Sequence, residues 1–398
     1  MDNITGIALT TSAMFLVVVA VMLNNPALFY MSTAMIATIG ASRIQAWLSV
    51  RGLRFQREVP ELVRVGDLVT IEITVWSERR LRRPLVTILD NLPARIVPSD
   101  LSPSLPIAPA YDIPVHTQYR FRPARRGIFR WSGVRVAGTD ALGLVTMERA
   151  YRTDTAEMTV LPIPIPVSLE LPSSAAWGLT STEGSRGKGS GLELRGTREY
   201  SPGDSLRHVH WRSSARAGTL LVKEFEAGVQ SSIALMMQLT TGTDTGKGAF
   251  TTLELMCGHA AHLADQLLRT GASVTLPGLE THQRANADAD RLSELLLALA
   301  GAEADRTATL GEDLALHARN LPQGSLLLVA VAMQDPTLPD AIRQAGGLGC
   351  SCVALLYDAD AFVRNRRGAP SAVDATFVRA LQAAGARTIR MPLEGLGG

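Results

Sequence analysis

Residues Thr240–Gly248 read TTGTDTGKG, behind the apolar run SSIALMMQL and ahead of the helix-like run FTTLELMCGHAAHLADQLL. Strand, glycine-rich loop with a lysine, helix is the order in which a phosphate loop is built. Backbone N–H groups at a helix N-terminus cradle anionic oxygens there. The spacing departs from that loop, which needs G-x-x-x-x-G-K-[ST]. Here three residues separate Gly242 from Gly246, and Lys247 is followed by Gly248 instead of the hydroxyl that would hold Mg²⁺. The expectation is a degenerate ligand loop making a flexible turn into the helix, with Lys247 facing solvent.

Two other constellations have reactive residue types. Cys257, His259 and His262 follow Glu254 closely, and zinc would accept such ligands. The run is otherwise rich in Ala and Leu and must pack on a sheet, so partly buried histidines with ordinary partners are expected. A hydrolase nucleophile wants G-x-S-x-G on a strained turn. The fragment GKGSG at Gly187–Gly191 is not that motif. His208 and His210 lie near Asp204 and Ser213 in sequence, which does not amount to triad geometry.

The densest stretch is 195–226, RGTREYSPGDSLRHVHWRSSARAGTLLVKEFE. Ser201-Pro202-Gly203-Asp204 has turn chemistry: proline fixes φ, glycine permits positive φ, and aspartate accepts backbone N–H groups. From Glu183 to Glu226 there are eight basic and six acidic residues, which favours an ion-paired surface over a phosphate track. The pattern REY-x-PGD-x-x-R-x-x-x-W-x-x-SAR, followed by L-x-VKEFE, resembles the signature of the "domain of unknown function 58" family. The upstream fragments ARRGIFR, TDALGL and VLP also fit that family. His210 stands where the family often has aspartate.

The resemblance covers essentially the whole chain. It implies two membrane helices, a β-rich region, then a von Willebrand factor A-like domain. It also implies a membrane-anchored component that works beside a MoxR-type AAA+ ATPase as protein partner. The expected role is recognition or scaffolding, as adaptor and not as an enzyme; the alternative is a divalent-cation-dependent binding module, or a nucleotide or hydrolase enzyme using the loop Thr240–Lys247. The candidate interaction surface is Arg198, Glu199, Tyr200, Pro202, Gly203, Asp204, Arg207, Trp211, Ser214, Arg216, Lys223 and Glu224. These residues could equally lock the β region to the A-like domain. The metal motif of such domains, D-x-S-x-S, would fall on Gln238, Leu239, Thr240, Thr241 and Gly242. A neutral amide replaces the carboxylate, and a hard divalent cation wants anionic oxygens. No cofactor is expected; Thr240, Asp244 and Asp335 remain weak metal candidates, with Asp358 after a later strand.

Positioning these residues requires a scaffold, and the hydropathy pattern supplies one. No charged residue occurs from Asn3 to Ser42, 40 residues, enough for two bilayer passes of roughly 20 each. Asn24, Asn25 and Pro26 interrupt the run, so helices are expected near Ile4–Leu23 and Ala27–Ser42, with residues 4–42 in the bilayer. Arg43, Arg51, Arg54 and Arg57 follow and favour a cytoplasmic location for that end. The expected location is therefore the inner (cytoplasmic) membrane, multi-pass, with soluble domains facing the cytoplasm.

From about Leu53 to Pro166 the period becomes two, as in Asp67–Ser77 and Val115–Arg122, which predicts a β-sandwich. Arg125 and Arg126 precede Gly127 at a turn and are expected to be solvated. LPIPIPVSLELP reads as a linker. From Ser231 strands and helices alternate, predicting a mostly parallel sheet with helices on both faces. The expected domains are a hairpin over 1–50, the sandwich over 51–166, linker and signature over 167–230, and the α/β, Rossmann-like domain over 231–398.

Composition adds limits. A formal net charge of +2 over 398 residues argues against a nucleic-acid partner. Three cysteines, Cys257, Cys350 and Cys352, give no disulfide framework and fit a reducing compartment.

Overall fold

The computed structural model describes residues 3–80, 86–93, 96, 104–107, 111–169, 194–199, 210–225, 232–279, 290–363 and 370–393. The charge-free N-terminus forms helices α1 (Asn3–Met22) and α2 (Pro26–Ser49), which pack against each other. Asn25 Oδ1 accepts the Ala27 N–H at 3.0 Å, and Pro26 starts α2 where its missing N–H costs nothing. α2 runs seven residues beyond the predicted Ser42, from Arg43 to Ser49. Among the described helices, α2 alone is long and apolar enough to cross a membrane; the described apolar part of α1, Ile7–Met22, is shorter.

Period-two sequence then builds two sheets over one core. Strands β1 (Leu53–Glu58), β2 (Leu62–Arg64), β3 (Val69–Ser77), β4 (Val86–Asp90), β5 (Ser104–Ile107), β6 (Val115–Phe121), β7 (Gly127–Thr139) and β8 (Thr146–Leu161) arrange as β1-β3-β6 and β2-β8-β7-β4-β5. Ile71 and Ile73 from the first sheet meet Ile88, Trp131 and Met158 from the second in the same buried cluster. That core also holds charge. Arg57 Nη2 lies 2.5 Å from Asp90 Oδ1, both side chains buried, and Tyr119 donates its hydroxyl to Asp90 Oδ2 at 2.7 Å. Arg57 is thus unavailable as a membrane-flanking charge, contrary to expectation: burial between the sheets forces it to pair.

The signature begins in β9 (Leu194–Glu199), continues in helix α3 (Trp211–Ala217) and ends in β10 (Leu221–Phe225). β9 and β10 pair antiparallel with each other, placing Arg198 opposite Val222 and Glu199 opposite Leu221.

The rest is an α/β unit: β11 (Ser232–Met237), the short β12 (Gly246–Lys247) and β13 (Phe250–Thr251), α4 (Thr252–Arg269), β14 (Ser273–Thr275), α5 (Arg291–Ala300), α6 (Leu310–Ala318), β15 (Leu326–Val331), α7 (Leu338–Gly347), β16 (Ser351–Leu356), α8 (Ala375–Ala383) and β17 (Arg387–Arg390). Its five-stranded sheet, β14-β11-β15-β16-β17, is parallel throughout. Both faces are covered, so the strands read as continuous apolar runs. Ile233, Leu235 and Met237 enter the cluster with α4 and α5; Ala234 and Met236 enter the one with α6, α7 and α8.

The described part of the proline-rich segment, 162–169, has no regular structure, yet it is docked. Ile165 is buried and its N–H donates to Gly258 O of α4 at 3.0 Å. A Cβ on Gly258 would stand 2.4 Å from Ile165 Cδ1, so glycine permits the close approach.

Candidate functional site

The loop 240–248 ends in a short hairpin at 246–251 instead of the expected flexible turn into the helix. Gly246 and Lys247 pair with Thr251 and Phe250, and a Cβ on Gly246 would come 2.0 Å from Phe250 O. Lys247 is exposed. Asp244 occupies the helix end that an anion would need: its Oδ1 accepts the Leu253 N–H at 3.1 Å and the Thr252 hydroxyl at 3.3 Å. A carboxylate there already complements the α4 dipole and would repel a phosphate.

The remaining metal candidates are also engaged. Gln238, where the family resemblance would put the carboxylate of a metal motif, is buried at the end of β11. Its Oε1 accepts from the N–H of Ala332 at 3.1 Å and of Met333 at 2.9 Å, and its Nε2 donates to Met333 O at 3.0 Å. One amide therefore satisfies donors and an acceptor at the end of β15, which a carboxylate could not do. Asp335 is buried as well. It accepts from Gly311 N at 2.9 Å, Thr337 N at 2.9 Å and the Thr337 hydroxyl at 2.6 Å, tying α6 to α7. Thr240 donates its hydroxyl to Ala308 O at 2.9 Å, and Asp358 pairs with Arg390 at 2.7 Å. Among the described residues no three His, Cys, Asp or Glu side chains converge as a metal site.

His259 is fully buried in the helix–sheet layer, more than expected. Its Nδ1 lies 3.1 Å from the Tyr357 hydroxyl. Burial first, then the neighbouring His262, hold its pKa down to about 4. Burial pushes the Cys257 thiol up to about 12, so it is an inert core group.

The turn before β7 joins the two halves of the molecule. Arg126 is buried, and its Nη1 donates to the carbonyls of Leu299 (2.8 Å), Ala300 (3.3 Å) and Ala302 (2.7 Å), closing the C-terminal end of α5. Arg125 reaches Glu254 at 3.4 Å and Asp244 at 3.7 Å. The expectation of solvated turn residues is corrected here. A helix C-terminus offers unpaired carbonyls and negative charge, which a guanidinium fork satisfies. Beside this pin a cleft of about 580 Å³ opens between Ile128 and Arg130 of β7 and Leu239, Gly278 and Arg306 of the α/β unit. Arg306 is fixed there by Asp313 at 3.1 Å and by the Gly278 carbonyl. Sequence reasoning missed Arg126 as a site residue, although ARRGIFR already carried the family resemblance.

The signature is only partly in view. Tyr200, Pro202, Gly203, Asp204 and Arg207 lie outside the described residues, as do Lys188 and His208. Arg198, Glu199, Lys223 and Glu224 are placed by their strands alone. The described part is tightly built. His210 Nδ1 accepts the Ser213 N–H at 3.1 Å and caps α3. His210 N donates to Leu221 O at 2.8 Å, and Ser214 Oγ accepts the Leu221 N–H at 2.9 Å, so the helix is fastened to β10. Ser214 is therefore a buried fastener, not a surface residue. Trp211, Arg212, Ala215 and Arg216 form the exposed face, with Trp211 at 65% of its full exposure.

Residues 196–331 match the family described as "Protein of unknown function DUF58". Over that span the chain carries the DUF58 match that its signature pattern led us to expect. The DUF58 match takes in β9, α3, β10 and the sheet as far as β15. A comparison with curated proteins gives no match. Among solved structures, the CARDB domain of the PF1109 protein from Pyrococcus furiosus, in complex with di-metal ions, is 13% identical, with 27% of this chain and 87% of that chain covered and a TM-score of 0.20. A beta-glucosidase from Listeria innocua is 11% identical, with 27% and 16% covered and a TM-score of 0.17. Likenesses this weak carry no argument about this chain.

Proposed function

We propose that this chain is a membrane-anchored interaction protein without chemistry of its own, an adaptor or effector partner of a MoxR-type AAA+ ATPase. The observation that carries the reading is Trp211. A large indole stands 65% exposed on a short helix whose other side is fastened by His210 and Ser214. Exposed tryptophan beside arginine, here Arg212 and Arg216, is the residue chemistry of an interface hot spot. The kind of partner comes from the family resemblance. The hydrogen bonds that engage Gln238, Asp244 and Asp335 favour a binding module over a metal- or nucleotide-dependent one.

In finer terms, we read the two β sheets as a sandwich over 51–166 and residues 231–398 as a von Willebrand A-like domain. The signature at 167–230 lies between them. α1 and α2 form a two-pass hairpin over 1–50, which places both ends and the soluble domains in the cytoplasm.

The test is an affinity pull-down from membranes, with and without ATP, comparing the intact chain with Trp211→Ala and Arg207→Ala variants of verified stability. Recovery of an AAA+ ATPase with the intact chain and its loss with the variants is expected. Retention of every partner by folded variants would refute the proposed surface.

A further inference from the structure

The turn between β7 and β8, residues 139–145, is docked on the last turns of α2. The Ala141 N–H donates to Gln45 Oε1 at 3.1 Å. The buried Asp140 accepts from Leu142 N at 3.2 Å and Val145 N at 2.8 Å. A Cβ on Gly138 would stand 2.2 Å from Ser49 Oγ, so β7 meets α2 without an intervening side chain. Gly143 takes φ 68°, which closes the turn. A turn held at so many points has a fixed tip, and that tip is Leu142, 64% exposed.

The depth of this tip is set by α2. The helix carries no charge until Arg43, which is exposed. At about 1.5 Å rise per residue, Gln45 lies about 3 Å beyond Arg43, where a spanning helix passes from hydrocarbon to headgroups. Trp47, with the Arg51 guanidinium 3.8 Å from its ring centre, has the chemistry of an interfacial belt. Ile44 is exposed at the same level.

We propose that the Asp140–Leu144 turn is a second, interfacial membrane contact, with Leu142 inserted at the headgroup–acyl boundary beside α2, so that the β region is held at a fixed angle to the bilayer. The proposal rests on the reading that α2 spans the membrane. Lipid is the occupant because the turn is bonded to a helix that lipid surrounds, at the depth where that helix leaves the hydrocarbon.

The test uses the full-length chain in vesicles of phosphatidylethanolamine and phosphatidylglycerol. A nitrobenzoxadiazole probe is attached to Leu142→Cys; Cys257, Cys350 and Cys352 are buried and leave labelling selective. Parallel samples carry the probe at Ile36→Cys in α2 and at the exposed Leu348→Cys of the α/β unit. The expected result is blue-shifted emission at position 142, quenched by lipids with a shallow nitroxide, together with deep quenching at 36 and water-like emission at 348. Water-like emission at 142 with deep quenching at 36 would overturn the contact and leave the spanning helix intact. Water-like emission at both 142 and 36 would overturn the contact and the spanning reading together.

Discussion

Arg126, in the turn before β7, donates to Ala302 O at 2.7 Å, so a single buried guanidinium from the β region closes the end of a helix in the α/β unit. Beside the Arg125 ion pairs and the docked Ile165, this tie joins the β region to the α/β unit through main-chain carbonyls, which any sequence would supply, and one side chain that lysine cannot replace with the same geometry.

Replacing Arg126 by alanine removes the buried donor to the carbonyls of Ala300 and Ala302, whereas Leu299 O keeps the Ala302 N–H at 3.2 Å, and it takes away the guanidinium 3.7 Å from Glu254. The expected loss is about 3 kcal/mol of stability. Arg125→Ala removes longer, partly solvated contacts and should cost under about 1 kcal/mol. Urea unfolding of the two variants checks the ranking; equal losses would show that Arg126 does not pin the interface.

Gln238 offers a test of whether its position takes part in metal binding. Gln238→Glu keeps an acceptor for Ala332 N and Met333 N but loses the donor to Met333 O and buries a charge. A loss of about 2–4 kcal/mol is expected. Mg²⁺ should restore none of it. Thermal melting with and without Mg²⁺ reads both effects, and a metal-dependent rise in Tm would contradict the assignment.

Much of this scaffold was legible in the sequence. The parallel strands announced themselves because a sheet covered on both faces needs unbroken apolar runs, as in Ser232–Met237 and Leu326–Val331. Asn25-Pro26 marked the start of α2, but its end was misjudged, because Ser42, Ala46 and Ser49 face the β region and so extend the helix past the apolar run. Arg57 and Arg126 were misread for one reason: their partners, Asp90 and Leu299–Ala302, are distant in sequence, and burial turns an arginine from a solvated charge into a pairing group. The hairpin at 246–251 was hidden because its pairing depends on Gly246 tolerating a backbone contact that composition alone does not reveal.

Gly258 should resist enlargement. Alanine there would press on Ile165 Cδ1 at 2.4 Å and on Ile163 O at 3.2 Å, prying the proline-rich segment from α4. A cost of about 1–3 kcal/mol is expected, with faster proteolysis between 162 and 169. Unchanged proteolysis would indicate that the segment's docking does not depend on this contact.

His259 gives the fold a pH dependence of definite sign. Its pKa falls from the ordinary 6.5 to about 4 in the folded chain, mainly through burial. The unfolded chain binds this proton first, so the contribution is fully present above about pH 6.5 and is lost as pH falls towards 4. The shift corresponds to about 3 kcal/mol. His259→Gln should flatten the stability profile between pH 4 and 6.5 relative to the parent chain. Parallel profiles would show that the imidazole titrates normally in the fold.

The docking role we propose for the α3 face is tested most directly by a photo-crosslinking residue at Ala215, one turn after Trp211 on the exposed side of the helix. In native membranes, irradiation should attach an AAA+ ATPase to this position, more with ATP than without, and the same probe at Leu348 should capture none. Crosslinking at 215 only to lipid or to other segments of this chain, with the ATPase present and active, would contradict the proposed function.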